Sequence, residues 1–388
     1  MPYSQYTSAD VLNTSYVEVS YPETPTPTPT PTSYWDTGLP VVVIDTHGGT
    51  IEGPSENWLE GVSIKIYQNQ STVLFESDTL SIRGRGNSSW SYDKKPYALK
   101  LSDKAEILGM AESKRWCLLA NYEDRTLMRN DIAFAIAKCT DLSTGMKYSP
   151  SGKFVEVVLN GIHKGNYYLS EQIRQEKNRV NIDKNNDYLL EYDRYYESEE
   201  FKFKTDYKLF PITIKSPDEP NVTAIKGKID ALETALYINN DFSNINFNSF
   251  ADYWIVEELT GNVETADKKP GSVYLQYITG INGQSDEVIM GPIWDFDYST
   301  FLPSAPVFAG KDTNELRYNY GSIPVDQDYQ DCVVPANGTM THTFINKNSI
   351  YYDKLFENPQ FKSVVKQRWN AWYSSLVNLE NRFDTVRD

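Results

Sequence analysis

The sequence predicts an α+β chain, with a β-rich N-terminal lobe and helices gathered toward its C-terminal end. Short β-branched runs bounded by Gly and Pro crowd residues 39–169, and apolar positions at helical spacing recur after them. A strict Pro-Thr alternation over residues 24–32 sets these elements apart from the first 23 residues. Proline at every second position fixes φ and removes backbone donors, so this stretch predicts a stiff, extended spacer.

The strands are expected at residues 39–44 (LPVVVI), 61–67, 79–83, 97–101, 154–159 and 167–169. Asn160-Gly161 stands between the last two and predicts a hairpin turn, because both residues tolerate positive φ. Asp124 is placed to cap a helix whose apolar face is Met128, Ile132, Ala135, Ile136 and Cys139. Ser249 is expected to open a second helix through Thr260, closed by Gly261-Asn262. A strand is expected at 273–277, and a final helix at about 360–383 aligns Phe361, Val365, Trp369, Trp372, Leu376, Leu379 and Phe383 on one packing face.

Of the 388 residues, 53 are acidic and 37 basic, a net charge of −16 that repels nucleic-acid phosphates, so nucleic acid is excluded as a partner class. No run of about 18 apolar residues occurs, which argues against membrane insertion. The start carries no charged-then-apolar leader pattern. Cys117, Cys139 and Cys332 have no C-x-x-C spacing, and His47, His163 and His342 are isolated, so neither a zinc site nor a Ser-His-Asp triad is indicated.

Three segments carry polar and glycine residues that a fold alone does not require. Residues 81–90 (SIRGRGNSSW) end a strand in alternating Arg83, Gly84, Arg85 and Gly86, exposing backbone N–H groups beside two guanidinium forks suited to phosphate oxygens. A solvated turn would read the same way. Asn87 follows as a turn-closing amide, and Lys100 lies in the next strand pointing opposite to Leu99 and Leu101. Residues 291–297 (GPIWDFD) place Asp295 and Asp297 two apart around Phe296, a spacing that fits either turn caps or oxygen ligands for Mg²⁺. Residues 260–267 (TGNVETAD) bring Asn262, Glu264 and Asp267 just past a helix, where phosphoryl transfer needs an acid to orient the attacking hydroxyl and an amide to hold metal.

At these residues the chain resembles the spore coat protein H (CotH) family of atypical secreted protein kinases. The resemblance runs through IRGRGNSSW with KKPYALKL, WCLLANYEDRTLMRN (116–130), GNYYLSEQI (165–173), ELTGN and GPIWDFD. It implies a divergent, two-lobed, protein-kinase-like fold with a mainly helical C-lobe: N-lobe about 35–170, C-lobe about 171–388. By composition a linker at 24–34 precedes it, and residues 1–23 read either as the tail of a preceding module or as an extraneous vector or fragment segment. The resemblance further implies ATP and Mg²⁺ or Mn²⁺ as cofactors, and transfer of phosphate to Ser or Thr of secreted or cell-surface proteins. Asp295 takes the metal-binding role, with Asp297 and Asn262 as further ligands. Lys100 takes the ATP phosphates with Arg83 or Arg85, Asn87 belongs to the loop, and Glu171 sits near the lysine or the nucleotide. The family's catalytic loop carries aspartate two residues after its asparagine, whereas Glu264 stands there in this chain. Either Asp267 replaces it, Glu264 works less efficiently, or the domain is a binding module of an extracellular, cellulosome-like complex.

Overall fold

A computed structural model describes residues 33–54, 57–262, 271–298, 300–301, 350–377 and 379. The Pro-Thr alternation, Glu264, Asp267, Cys332, His342 and the end of the last predicted helix lie outside the described residues.

Seven strands, β1 (Val41–Asp45), β2 (Leu59–Asn69), β3 (Thr72–Gly84), β4 (Tyr97–Ile107), β5 (Met110–Leu119), β6 (Gly152–Leu159) and β7 (Ile162–Glu171), close into a barrel in the order β1-β2-β3-β4-β5-β7-β6. All neighbours are antiparallel except β1 and β6, whose parallel pairing completes the ring. Alternate residues point inward, so Ile44, Ile64, Ile82, Leu99, Trp116, Tyr167 and Leu169 fill the interior while their neighbours face out. Asn160 and Gly161 turn the β6–β7 hairpin at φ 51 and 76, and the Asn160 side chain also accepts from the Thr46 amide at 2.8 Å, tying the turn to the end of β1.

The second half is organised around another sheet, antiparallel throughout: β8 (Tyr188–Tyr192), β9 (Lys202–Lys204), β10 (Pro211–Ser216), β11 (Val273–Ile278) and β12 (Glu287–Met290), in the order β12-β11-β8-β10-β9. Helices α1 (Arg129–Lys138), α2 (Val222–Thr234), α3 (Phe247–Thr260), α4 (Tyr352–Leu355) and α5 (Pro359–Val377) share one apolar core with it, contributing Phe134, Ile229, Phe250, Trp254, Leu355, Phe361 and Trp372.

This overturns the two-lobed, kinase-like architecture with a mainly helical C-lobe. The first half is a closed barrel, and the second is built on a five-stranded sheet with few helices among the described residues. The physical reason lies in segments such as YLLEY and PITIKS, which are buried on both faces and so lack the alternation that marks a half-buried strand. Two helix starts also differ. Helix α1 begins at Arg129, and Asp124 accepts the Arg129 amide at 2.8 Å from within the preceding loop. Helix α3 is capped by Asn246, whose Oδ1 accepts from Ser249 N, and it closes on Gly261 at φ 76. The aromatic face of α5 is core: Phe361 and Trp372 are buried and Trp369 packs against them.

Candidate functional site

The outward face of β3, β4 and β5 carries the cations. Ser81, Lys100 and Arg115 share one register row, and Arg83, Ala98 and Cys117 the next. Ala98 and Cys117 are buried although they point away from the barrel interior, so this wall is covered. Three of the cations converge on one indole: Arg83 lies 4.7 Å, Arg115 4.5 Å and Lys100 5.9 Å from the Trp58 ring. Burial raises the Cys117 thiol, and the positive charges of Arg85, Arg115, Arg83 and Arg179 oppose that rise.

Glycine permits the chain to leave β3 in this way. A Cβ on Gly84 would stand 2.7 Å from both the Glu52 carbonyl and the Trp90 ring, and Gly86 has φ 80 with Ser89 Oγ against its open side. Asn87 precedes a short 3-10 turn, Ser88–Ser91, with an exposed side chain that makes no capping hydrogen bond. Arg85 then reaches over Trp294 at 5.4 Å, next to Asp295, and its buried Nη1 has no hydrogen-bond partner among the described residues.

The 291–298 segment meets this wall where Trp294 lies under Arg85. Asp295 sits at φ 69, a left-handed conformation that Asp tolerates better than most residues, and it accepts from the Ser272 hydroxyl at 3.2 Å. Asn130, in the first turn of α1, accepts from the Phe296 amide at 2.9 Å and donates to Asn121 at 3.0 Å. Arg129 donates to the Asp297 carbonyl at 2.9 Å while its Nε lies 3.4 Å from Asp124. Burial first, then the adjacent Asp295 charge, push the Asp297 carboxyl well up, with Asp124 adding to the effect.

Two carboxylates crowded until one is driven toward protonation fit a divalent cation, which would hold both ionised through oxygen ligation. Among the described residues no group of three or more His, Cys, Asp or Glu converges as a complete metal cage. Asn262 is buried just past α3, with its Glu264 and Asp267 neighbours outside the described residues.

Glu171 does not join Lys100. It pairs in register with Trp116, so it shares the interior face, one residue out of phase with the cationic row. There it accepts from Arg179 at 2.7 Å, Tyr148 at 2.8 Å and the Ser151 amide at 2.9 Å, beside a cavity of about 320 Å³ also lined by Asp131, Lys138 and Lys153. Glu171 thus lies on the opposite side of the barrel wall from Lys100.

Sequence reasoning missed Trp58, Arg115, Arg129 and Asn130. The last two lie in the LMRN end of a motif that the resemblance had already singled out; the overlooked signal is a consecutive Arg-Asn pair opening an apolar helix, where burial demands polar partners.

A family model described as CotH kinase protein matches residues 82–388, most of the chain, and the protein belongs to that family. The kinase-like character that the family name carries is thus assigned at the level of the family. No curated protein matches the chain.

Proposed function

We propose that this protein binds ATP with Mg²⁺ or Mn²⁺ and transfers the terminal phosphate to Ser or Thr hydroxyls of proteins outside the cell. The observation that supports the reading is the guanidinium of Arg85, which leaves the strand wall of Arg83, Lys100 and Arg115 to lie over the Trp294 ring, one residue before Asp295. Phosphoryl transfer is mainly positioning and charge neutralisation, and these are the groups it calls for.

In this reading Arg85 and Lys100 bind phosphate oxygens, Arg83 and Arg115 hold the local potential positive, and Asp295 and Asp297 ligate the cation, with Asn262 alongside. A bound divalent cation supplies neutralisation of charge on the phosphates. Glu264 or Asp267 orients the acceptor hydroxyl. Glutamate is one methylene longer than aspartate, and misplacement of about 1 Å costs on the order of 10²-fold in rate. The Glu264 position therefore also favours a second reading, a nucleotide-binding module of an extracellular complex that transfers phosphate slowly or not at all. Extracellular placement rests on the family resemblance and the Pro-Thr spacer.

Thermal unfolding with and without ATP and Mg²⁺ tests the site, since a ligand at 100 times its Kd adds about 2.7 kcal/mol to the folded state. The expected result is a clear upward shift that disappears in Asp295→Asn. No shift with any nucleotide and metal pair would overturn the reading, and a shift without single-turnover transfer to a generic Ser/Thr protein would select the binding module.

A further inference from the structure

The second sheet carries a polar row that leads away from this site. Tyr274 on β11 and Thr213 on β10 both lie opposite Glu191 on β8, and Lys215, where the register of β10 shifts, reaches Glu191 with its ammonium group. The other side of these strands holds Val273, Leu275, Tyr192, Ile212 and Ile214 in the core. The row starts beside Asp295: Tyr274 follows two residues after Ser272, whose hydroxyl donates to Asp295 at 3.2 Å, and the Tyr274 carbonyl accepts from the Gly291 amide at 2.9 Å. Neighbouring strands are about 4.8 Å apart, so the row runs about 10 Å from β11 to β10. A nucleotide with its phosphates at Arg85 and Asp295 would extend its base along that line.

Beside Tyr274, on β8 in the middle of the row, stands a carboxylate. The Glu191 side chain is 11% exposed and Lys215 Nζ lies 3.1 Å from its Oε2, 3.4 Å from Glu199 and 3.7 Å from Asp193. Burial pushes the Glu191 carboxyl up to about 7, with Lys215 opposing and Asp193 and Glu199 adding to the rise. Lys215 is the only ion-pair partner of Glu191 among the described residues, and it takes one oxygen.

We propose that Glu191 recognises the base of the bound nucleotide, its Oε1 accepting the exocyclic amino group of adenine while Lys215 acts as a positioning residue on Oε2. One remaining oxygen meets one N–H donor. Guanine presents two adjacent donors on its pairing edge and asks for both oxygens, so the arrangement selects adenine. The proposal rests on the nucleotide reading given above and adds the residue that sets its base specificity.

Calorimetric titration in Mg²⁺ of ATP, purine riboside triphosphate, which lacks only the amino group, and inorganic tripolyphosphate separates the two claims. A hydrogen bond to a charged acceptor corresponds to a preference of about 10- to 100-fold. The wild-type protein is expected to bind ATP more tightly than the deamino analogue by that factor. Glu191→Leu should bind the two alike and bind tripolyphosphate as the wild type does, whereas Glu191→Gln, which keeps a carbonyl acceptor, should retain the preference. Equal binding of ATP and the deamino analogue by the wild type overturns the proposal even if Glu191→Leu fails to fold, and so does a preference that survives in a folded Glu191→Leu. Tripolyphosphate binding without base discrimination overturns this proposal alone; absence of both ATP and tripolyphosphate binding removes the nucleotide site itself.

Discussion

Replacing Arg368 by methionine should destabilise the protein by about 4 kcal/mol at neutral pH. Arg368 extends from α5 to a carboxylate on α3, Nε donating to Asp252 Oδ1 at 2.7 Å and Nη2 to Oδ2 at 2.5 Å. It also donates to Thr144 Oγ1 at 2.8 Å and the Asp141 carbonyl at 3.0 Å, so one guanidinium joins three segments. The Asp252 side chain is fully buried and Arg368 is 12% exposed. Breaking such a pair leaves an uncompensated buried charge, which costs about 3–5 kcal/mol, a fall in Tm on the order of 10 °C. The pH dependence follows from Asp252, whose carboxyl burial raises to about 6 from an ordinary 3.8, Arg368 opposing. A raised carboxyl contributes stability that is present below the unfolded value and lost as pH rises through the folded one. Without the guanidinium the folded value rises further, so at pH 5 the variant buries a neutral acid rather than a charge. Guanidinium chloride unfolding at pH 7.5 and pH 5 should therefore show a smaller destabilisation at pH 5. A loss below about 1 kcal/mol at pH 7.5, or one equally large at pH 5, would refute the account.

Two further substitutions probe the site. Asn130→Ala removes the acceptor of the Phe296 amide and the donor to Asn121, so it should cost about 2 kcal/mol and weaken Mn²⁺ binding measured by calorimetry, because the aspartates on either side of Phe296 lose their anchor. Lys100→Met should leave the melting temperature of the ligand-free protein nearly unchanged, since Lys100 is half-buried on the outer wall, yet weaken tripolyphosphate binding about tenfold.

Barrel strands such as β2 were legible because burial alternates, Val62, Ile64 and Ile66 being buried and Ser63, Lys65 and Tyr67 partly exposed, and the Asn160-Gly161 turn names itself. Closure of the ring was not, since it depends on β1 pairing with β6 more than a hundred residues away, and no local pattern encodes a parallel contact at that distance. Of the second sheet only β11 was expected, at 273–277, and the rest was misread as helical territory for a related reason. Strands such as β8 and β10 are short and doubly buried, so period 2 does not announce them. Within the site, charge was legible and placement was not. Arg85, Lys100 and Asp295 stand out as polar residues among glycines and apolar runs, whereas Glu171 looked equally suited until strand register set it on the interior face with Trp116. A single residue of register decides which side of a sheet a side chain serves.

The acidic motif depends on residues outside itself. Asp295 and Ser272 both adopt positive φ and meet through a hydrogen bond, a local cost of order 1–3 kcal/mol each that surrounding structure must hold in place. The anchors are Asn130 on the Phe296 amide and Arg129 on the Asp297 carbonyl, and both stand on a helix that follows the fifth barrel strand. Arg129 is in turn fixed by Asp124, and Asn130 by Asn121, within the loop that leaves β5. The cationic wall includes β5 through Arg115. The strand that carries Arg115 and the loop that follows it therefore also anchor the backbone of the acidic motif, through Arg129 and Asn130.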